Sequence, residues 1–282
     1  MQDNVFETIS QAYYDLTASE KKAADYLMSH QQESQFMSIA ELADECGVAE
    51  ATISRFCRRL GYKGYNAFKL AIANATARLT HPDASDDEGG STSFEDMAQR
   101  LYRTDHDALS QALALLNRDA LCAAADRLES ARRVYCMGQG GSMLIAEEAA
   151  HLFSAASGKF FAVRDSHMQM IRAANSTAQD VLLYFSYSGA TRDMMETLQV
   201  AREQGAYIIL ITRFSKSPGG ELADLVLQCG ANESPLQLGS VAAKIAQLYL
   251  LDVLFAEFCR RRPEDFAQRR DRIAAALADK HL

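Results

Sequence analysis

Five short apolar runs in the second half of the chain leave it few ways to fold. They are Arg133-Val-Tyr-Cys-Met137, Lys159-Phe-Phe-Ala-Val163, Val181-Leu-Leu-Tyr-Phe-Ser186, Tyr207-Ile-Ile-Leu-Ile-Thr212 and Asp224-Leu-Val-Leu-Gln228. Each is nearly continuous in apolar character, whereas a strand with one wet face would alternate. Helix-like stretches separate the runs, and that order demands a parallel sheet covered by helices on both faces. A long helical stretch over residues 94–129 precedes the first run, and a last long helix covers about 240–260.

Everything before residue 81 reads as helical. Between the two halves lies His81-Pro-Asp-Ala-Ser-Asp-Asp-Glu-Gly-Gly-Ser-Thr-Ser93, without a large apolar residue and with one of only four prolines. It is expected to be a flexible linker over 81–93, dividing a domain at 1–80 from one at 94–282. No internal repeat occurs. No run of about 18 apolar residues is present, so no span across a membrane is expected. The acidic start lacks the basic-then-apolar order of a signal peptide, and a cytoplasmic location is expected. Six cysteines (46, 57, 122, 136, 229, 259) are scattered without a C-x-x-C pair or a Cys/His cluster. That pattern suits reduced thiols better than disulfides or a metal site, and no metal or cofactor is expected.

The net charge of −8 argues against a nucleic-acid partner until it is divided along the chain. In residues 1–50 acidic side chains outnumber the two lysines, Lys21 and Lys22. Residues 51–82 carry six basic residues (Arg55, Arg58, Arg59, Lys63, Lys69, Arg78) and no acidic one. Screening limits phosphate attraction to about 8–10 Å, so this local block matters more than the total. A solvated helix face would look the same, and the helical pattern has to decide. Capping boxes at Thr17-Ala-Ser-Glu20 and Ser38-Ile-Ala-Glu41 open two helices. The second buries Ile39, Leu42 and Ala43 and stops at Gly47, a residue suited to the left-handed conformation of a sharp turn. A further helix from about Glu50 to Leu60 buries Ile53, Phe56, Cys57 and Leu60. Its other side shows Thr52, Arg55 and Arg59, flanked by Ser54 and Arg58. This is the helix-turn-helix arrangement, with an ordinary helical hairpin as the alternative. Ala49 stands where a capping Ser or Thr is expected, a deficit of about 1 kcal/mol.

Residues 17–79, through Ser38-Ile-Ala-Glu-Leu-Ala, Thr52-Ile-Ser-Arg-Phe-Cys-Arg-Arg-Leu-Gly61 and Tyr62-Lys-Gly-Tyr-Asn-Ala-Phe-Lys69, resemble the N-terminal domain of the RpiR family of bacterial regulators. The resemblance implies a winged-helix-like DNA-binding domain ahead of a sugar isomerase (SIS) domain. It implies DNA contacts from Arg55, Arg58, Arg59 and Lys63, with Thr52 and Ser54 on the same helix. Ala49 departs from the serine common in that family.

Two glycine- and hydroxyl-rich turns follow apolar strands in the second half. Gly138-Gln-Gly-Gly-Ser142 leads into a helix, where exposed N–H groups at a positive helix end form an anion site. A dinucleotide fold fits poorly, because Met143 replaces the third glycine and Asp165 comes 27 residues after Gly138, against about 20. Ser186-Tyr-Ser-Gly-Ala-Thr191 again joins a strand to a helix. Its hydroxyls and amides can encircle a tetrahedral anion without a buried fixed charge. Helix capping alone is the bland alternative for either turn. The pair resembles the signature of SIS domains, which bind phosphosugars. That resemblance implies phosphate ligands Ser142, Ser186, Ser188, Gly189 and Thr191, and sugar contacts His167, Glu233 and Lys244.

Three functions compete. A transcription regulator binding double-stranded operator DNA under control of a phosphorylated sugar accounts for both domains. A phosphosugar isomerase or lyase would use Glu233 and His167 as base and acid. A scaffold would use the basic helix to dock another protein. The fused helix-turn-helix favours the regulator, with no catalytic residues. Half-site symmetry then implies a homodimer or a dimer of dimers. The Leu- and Ala-rich helices at 94–129 and 240–260 are candidates for its interface, although Leu248, Leu251, Phe255 and Phe258 could be core.

Overall fold

The computed structural model describes residues 4–80 (side chains to Ala77), 93–231 and 241–278. The expected linker therefore lies outside the described residues except for Ser93, and Glu233 lies outside them altogether. The described chain forms two compact units, one up to Leu101 and one from Tyr102 onward.

Up to Thr80 the first unit runs through α1 (Val5–Ala12), α2 (Ala18–Ser29), α3 (Gln31–Ser34), α4 (Ile39–Cys46), α5 (Glu50–Arg59) and α6 (Tyr65–Thr80). Both capping boxes form: Thr17 and Ser38 accept from the Glu20 and Glu41 amides, and each carboxylate accepts from the cap's own amide. α4 ends on Gly47 at φ +61, in the left-handed region. α5 opens on Ala49 with no side-chain cap, as its sequence implies. The stripe Ile53, Phe56 and Cys57 has no exposure and packs with Leu27, Leu42, Phe68 and Ile72. Phe68 meets both Phe56 and Tyr62 edge-on at 5.7 and 5.3 Å, seating α6 directly on α5. The described residues of this unit hold no strand, so the wing that the resemblance implies is not among them.

Beyond Ser93 one expectation is corrected. The helical stretch expected over 94–129 is two helices, α7 (Phe94–Ala114) and α8 (Arg118–Ser130). Asn117 breaks it, because its side chain accepts from the Ala120 amide and caps α8. The remainder alternates: β1 (Arg133–Gly138), α9 (Gly141–Ser154), β2 (Phe160–Ala162), α10 (Ser166–Ala174), β3 (Asp180–Phe185) and α11 (Arg192–Glu203). Then come β4 (Tyr207–Thr212), α12 (Pro218–Leu222), β5 (Leu225–Gln228), α13 (Val241–Arg260) and α14 (Pro263–Leu277). α14 follows the last expected helix, holds Pro263 in its first turn and buries no residue.

All five strands are parallel, in the order β2-β1-β3-β4-β5. The period-2 geometry of a strand sends successive side chains to opposite faces. Val134, Cys136, Val181, Leu183, Ile209 and Ile211 pack with α8, α9 and α13 on one face. Tyr135, Met137, Leu182, Tyr184, Ile208 and Leu210 pack with α11 and Ala173 of α10 on the other. Two covered faces explain why the runs of β1, β3 and β4 read as continuous apolar, whereas Phe161 and Ala162 of the edge strand β2 are exposed. On α13, Leu251 and Phe258 belong to the core, whereas Leu248 is exposed. No helix among the described residues is long and apolar enough to cross a membrane.

Candidate functional site

The chain leaves β1 toward β2 on one side and continues from β3 on the other, so the strand order reverses between β1 and β3. Ligands of open α/β sheets bind in the crevice at such a reversal, beyond the carboxyl ends of the strands. Gly138 and Phe185 are register partners across β1 and β3, which starts both hydroxyl-rich turns side by side at the reversal.

The first turn is compact. A Cβ on Gly138 would lie 2.7 Å from the Ser142 carbonyl oxygen, closer than atoms pack. Gly140 has φ +54 and precedes α9, placing half-buried Ser142 in the helix's first turn. Lys244 of α13 reaches this turn, for a Cβ on Gly141 would stand 3.2 Å from its Cε and 3.7 Å from its Nζ. The chain therefore brings Lys244, 102 residues on from Ser142, onto the first turn.

In the second turn, buried Ser186 accepts from the Gly189 amide at 3.1 Å and so shapes the loop. Ser188 is exposed and accepts from the Ala190 amide at 3.3 Å. Thr191 occupies the N-cap of α11, yet its hydroxyl makes no capping bond. Capping alone thus accounts poorly for the hydroxyl at this position. Gly189, at φ +60, has its would-be Cβ overlapping Ser217 Oγ and 3.0 Å from Thr212 Oγ1.

Those contacts come from a third turn, Thr212 to Gly219, not among the expected site residues. Thr212 donates to the Tyr187 carbonyl at 3.1 Å, and the Gly219 amide donates to the Gly189 carbonyl at 2.8 Å. It buttresses the second turn from β4. Its signal was present as a third polar strand-to-helix turn, with Ser217 capping α12 ahead of Pro218. His167 sits in the first turn of α10, exposed, with no hydrogen bond to either loop among the described residues. Two residues on, Gln169 is fully buried and bonded to the first turn.

In the first unit, Arg55, Arg58 and Lys63 are exposed on or just after α5, and Thr52 and Ser54 are half-buried. Arg59 differs from the others. Its Nε donates to Glu20 at 3.1 Å and its Nη1 to the Asp15 carbonyl at 3.1 Å. Burial would raise the pKa of Glu20, but hydrogen bonds from Thr17 and the charge of Arg59 outweigh it and hold the carboxyl below its ordinary value. Arg59 thus fastens α5 to α2 while its side chain stays 46% exposed. A cleft of about 500 Å³ on this face is lined by Thr17, Ser19, Glu20, Thr52, Arg55, Arg58 and Arg59. Thr17 and Glu20, legible in the sequence only as a helix cap, also border the basic face.

The helix-turn-helix domain model of the rpiR family matches residues 3–78, and the SIS domain model matches 127–257. An uncharacterized HTH-type transcriptional regulator of Caldanaerobacter subterraneus is 33% identical over 93% of both chains. The chain belongs to the RpiR family of helix-turn-helix transcriptional regulators. This RpiR-family chain is also similar to the HTH-type transcriptional regulator HexR of Pseudomonas aeruginosa, 30% identical over 97% of this chain and 95% of that one. Its fold matches the Vibrio vulnificus NanR protein complexed with ManNAc-6P, with a TM-score of 0.83 at 24% identity over 98% of each. The sugar isomerase domain of an RpiR factor from Sphaerobacter thermophilus covers 64% of this chain and 98% of its own, with a TM-score of 0.58 at 23% identity. As an RpiR-family member, the protein is a helix-turn-helix transcriptional regulator with a SIS phosphosugar-binding domain.

Proposed function

We propose that this regulator binds double-stranded operator DNA through α5 and adjusts that affinity when a phosphorylated sugar occupies the turns at the β1/β3 reversal. The genes it governs are those of sugar or amino-sugar catabolism. The observation that carries the reading is the convergence of two hydroxyl-rich turns at the reversal with Lys244 lying against the first. Ser142, Ser186, Ser188, Thr191 and the Gly189 amide hold the phosphate, and Lys244 offsets its charge. His167 and Glu233 are the further sugar contacts. The ligand in the NanR structure makes N-acetylmannosamine 6-phosphate the first compound to try.

On the DNA side, Arg55 near the start of α5 reads a base edge, while Arg58 and Lys63 contact phosphates. Arg59 has a double role, positioning α5 through Glu20 and presenting its open edge to the backbone. The domains at 1–80 and 94–282 divide this labour in a cytoplasmic homodimer or dimer of dimers.

The experiment pairs ligand and DNA readouts. A thermal-shift screen of phosphorylated sugars should find a stabilising ligand, and Thr191→Ala should lose most of that shift. Removing one hydrogen bond to a charged group is worth about 1.5–3 kcal/mol. Arg55→Ala should weaken operator binding by about 1–3 kcal/mol and relax specificity at one base pair. If every phosphosugar leaves the melting curve unmoved, or Arg55→Ala shifts its operator normally, the corresponding half of the reading is wrong. Turnover of hexose phosphates would restore the enzyme.

A further inference from the structure

Beneath the first turn lies a closed polar network that none of the expected site residues belongs to. Gln169 of α10 has no exposure. Its Nε2 donates to the carbonyls of Gly138 at 3.0 Å and Val163 at 2.8 Å. Its Oε1 accepts from Gln139 Nε2 at 3.0 Å and from the Tyr184 hydroxyl at 3.1 Å. Gln139 Nε2 also reaches the Tyr184 oxygen at 3.4 Å. Two carbonyls can only accept, so the orientation of the Gln169 amide is fixed by chemistry. Burial pushes the Tyr184 hydroxyl up to about 12, so it remains a donor at neutral pH.

The network joins four places: the end of β1 at Gly138, the turn residue Gln139, Val163 just past β2, and β3 at Tyr184. Gly138 is where the first turn departs, and its space is limited by the Ser142 carbonyl. A side chain gripping the Gly138 carbonyl from below, and Gln139 beside it, fixes where Ser142 and the α9 amides point. We infer that Gln169 is a positioning residue for the effector site, holding the first turn in the shape that receives a phosphosugar. This rests on the phosphosugar reading given above. Because Gln169 and His167 share α10, the same grip ties the turn to that helix. Fully satisfied buried networks of this kind rigidify what they touch.

The test uses the full chain with inorganic phosphate and N-acetylmannosamine 6-phosphate as probes. Gln169→Met keeps length and removes every hydrogen bond, and Tyr184→Phe removes one hydroxyl. Ile209→Val, a core change away from the turn, controls for stability lost without loosening it. Gln169→Met should bind the probes at least tenfold more weakly, and its amides at 138–142 should exchange at least tenfold faster. Tyr184→Phe should bind several-fold more weakly, and Ile209→Val should bind like wild type. A folded Gln169→Met chain with wild-type affinity and wild-type exchange overturns the inference alone. If Gln169→Met does not fold, Tyr184→Phe decides, and wild-type binding by that variant overturns it. A wild-type chain that binds neither probe overturns the effector reading and this inference with it.

Discussion

Gly189 is the residue on which the second turn depends most. Its φ of +60 is a conformation that side chains rarely adopt, and the space a Cβ needs is filled by Ser217. Backbone strain of that kind is worth about 1–3 kcal/mol, and the clash adds to it. Gly189→Ala should lower stability by at least that much in a urea melt and abolish the phosphosugar thermal shift. A melt like wild type would contradict the geometry. Asp180 bears on stability from the opposite end of β3. Its fully buried carboxylate takes two bonds from Arg132, at 3.1 and 2.7 Å, and others from Thr177. Burial is the largest influence and would raise its pKa, but the Arg132 and Thr177 hydrogen bonds prevail and hold it below the ordinary value. A depressed folded-state pKa gives stability that is present above the unfolded value of about 3.9 and lost as pH falls through the lower folded value. Stability measured from pH 7 downward should therefore fall below about pH 4, and less steeply in Asp180→Asn. Identical slopes for the two proteins would show that Asp180 does not set this pH dependence. Neither constraint was legible in the sequence, because Ser217 and Arg132 act on residues 28 and 48 positions away.

At the scale of elements, α5 is held by packing and by Arg59 more than by its own start. Ala49 has extended backbone angles, φ −75 and ψ 149, suited to a capping hydroxyl that it lacks. Ala49→Ser should stabilise the first unit by about 0.5–2 kcal/mol, seen as a higher melting temperature. An unchanged melt would mean that water or a neighbouring group already satisfies the α5 amides. The helices and strands themselves could be read from the chain. Capping boxes are local, and strands covered on both faces must be apolar on every residue. The break at Asn117 was also local, a capping side chain inside an otherwise helical pattern, and the pattern concealed it. What could not be read was the joining of distant elements. Glu20 and Arg59 are 39 residues apart, and a buried glutamine inside a helix looks like any surface glutamine until the fold surrounds it. The two hydroxyl turns were visible because glycine and serine at strand ends have few uses other than turning and binding. The third turn also sets hydroxyls at a strand end, but without a glycine before Gly219.

For the whole molecule, the proposed function requires that the phosphosugar and operator sites share one equilibrium. A phosphosugar at the β1/β3 reversal can shift operator affinity only by its differential affinity for the states involved. Coupling of about 1–3 kcal/mol, or 5–150-fold, is typical. Linkage is reciprocal, so saturating operator must change phosphosugar affinity by the same factor that phosphosugar changes operator affinity. Its sign separates modes of control: tighter sugar binding on DNA means the effector recruits the regulator, and weaker binding means it releases it. The deciding measurement is titration of the phosphosugar that emerges from the thermal-shift screen into the full chain, with and without saturating operator DNA. Coupled sites should give affinities that differ by at least about fivefold, matched by an equal shift in operator affinity. Equal phosphosugar affinities in the two titrations would contradict it, leaving a sugar-binding domain that does not govern the DNA-binding one.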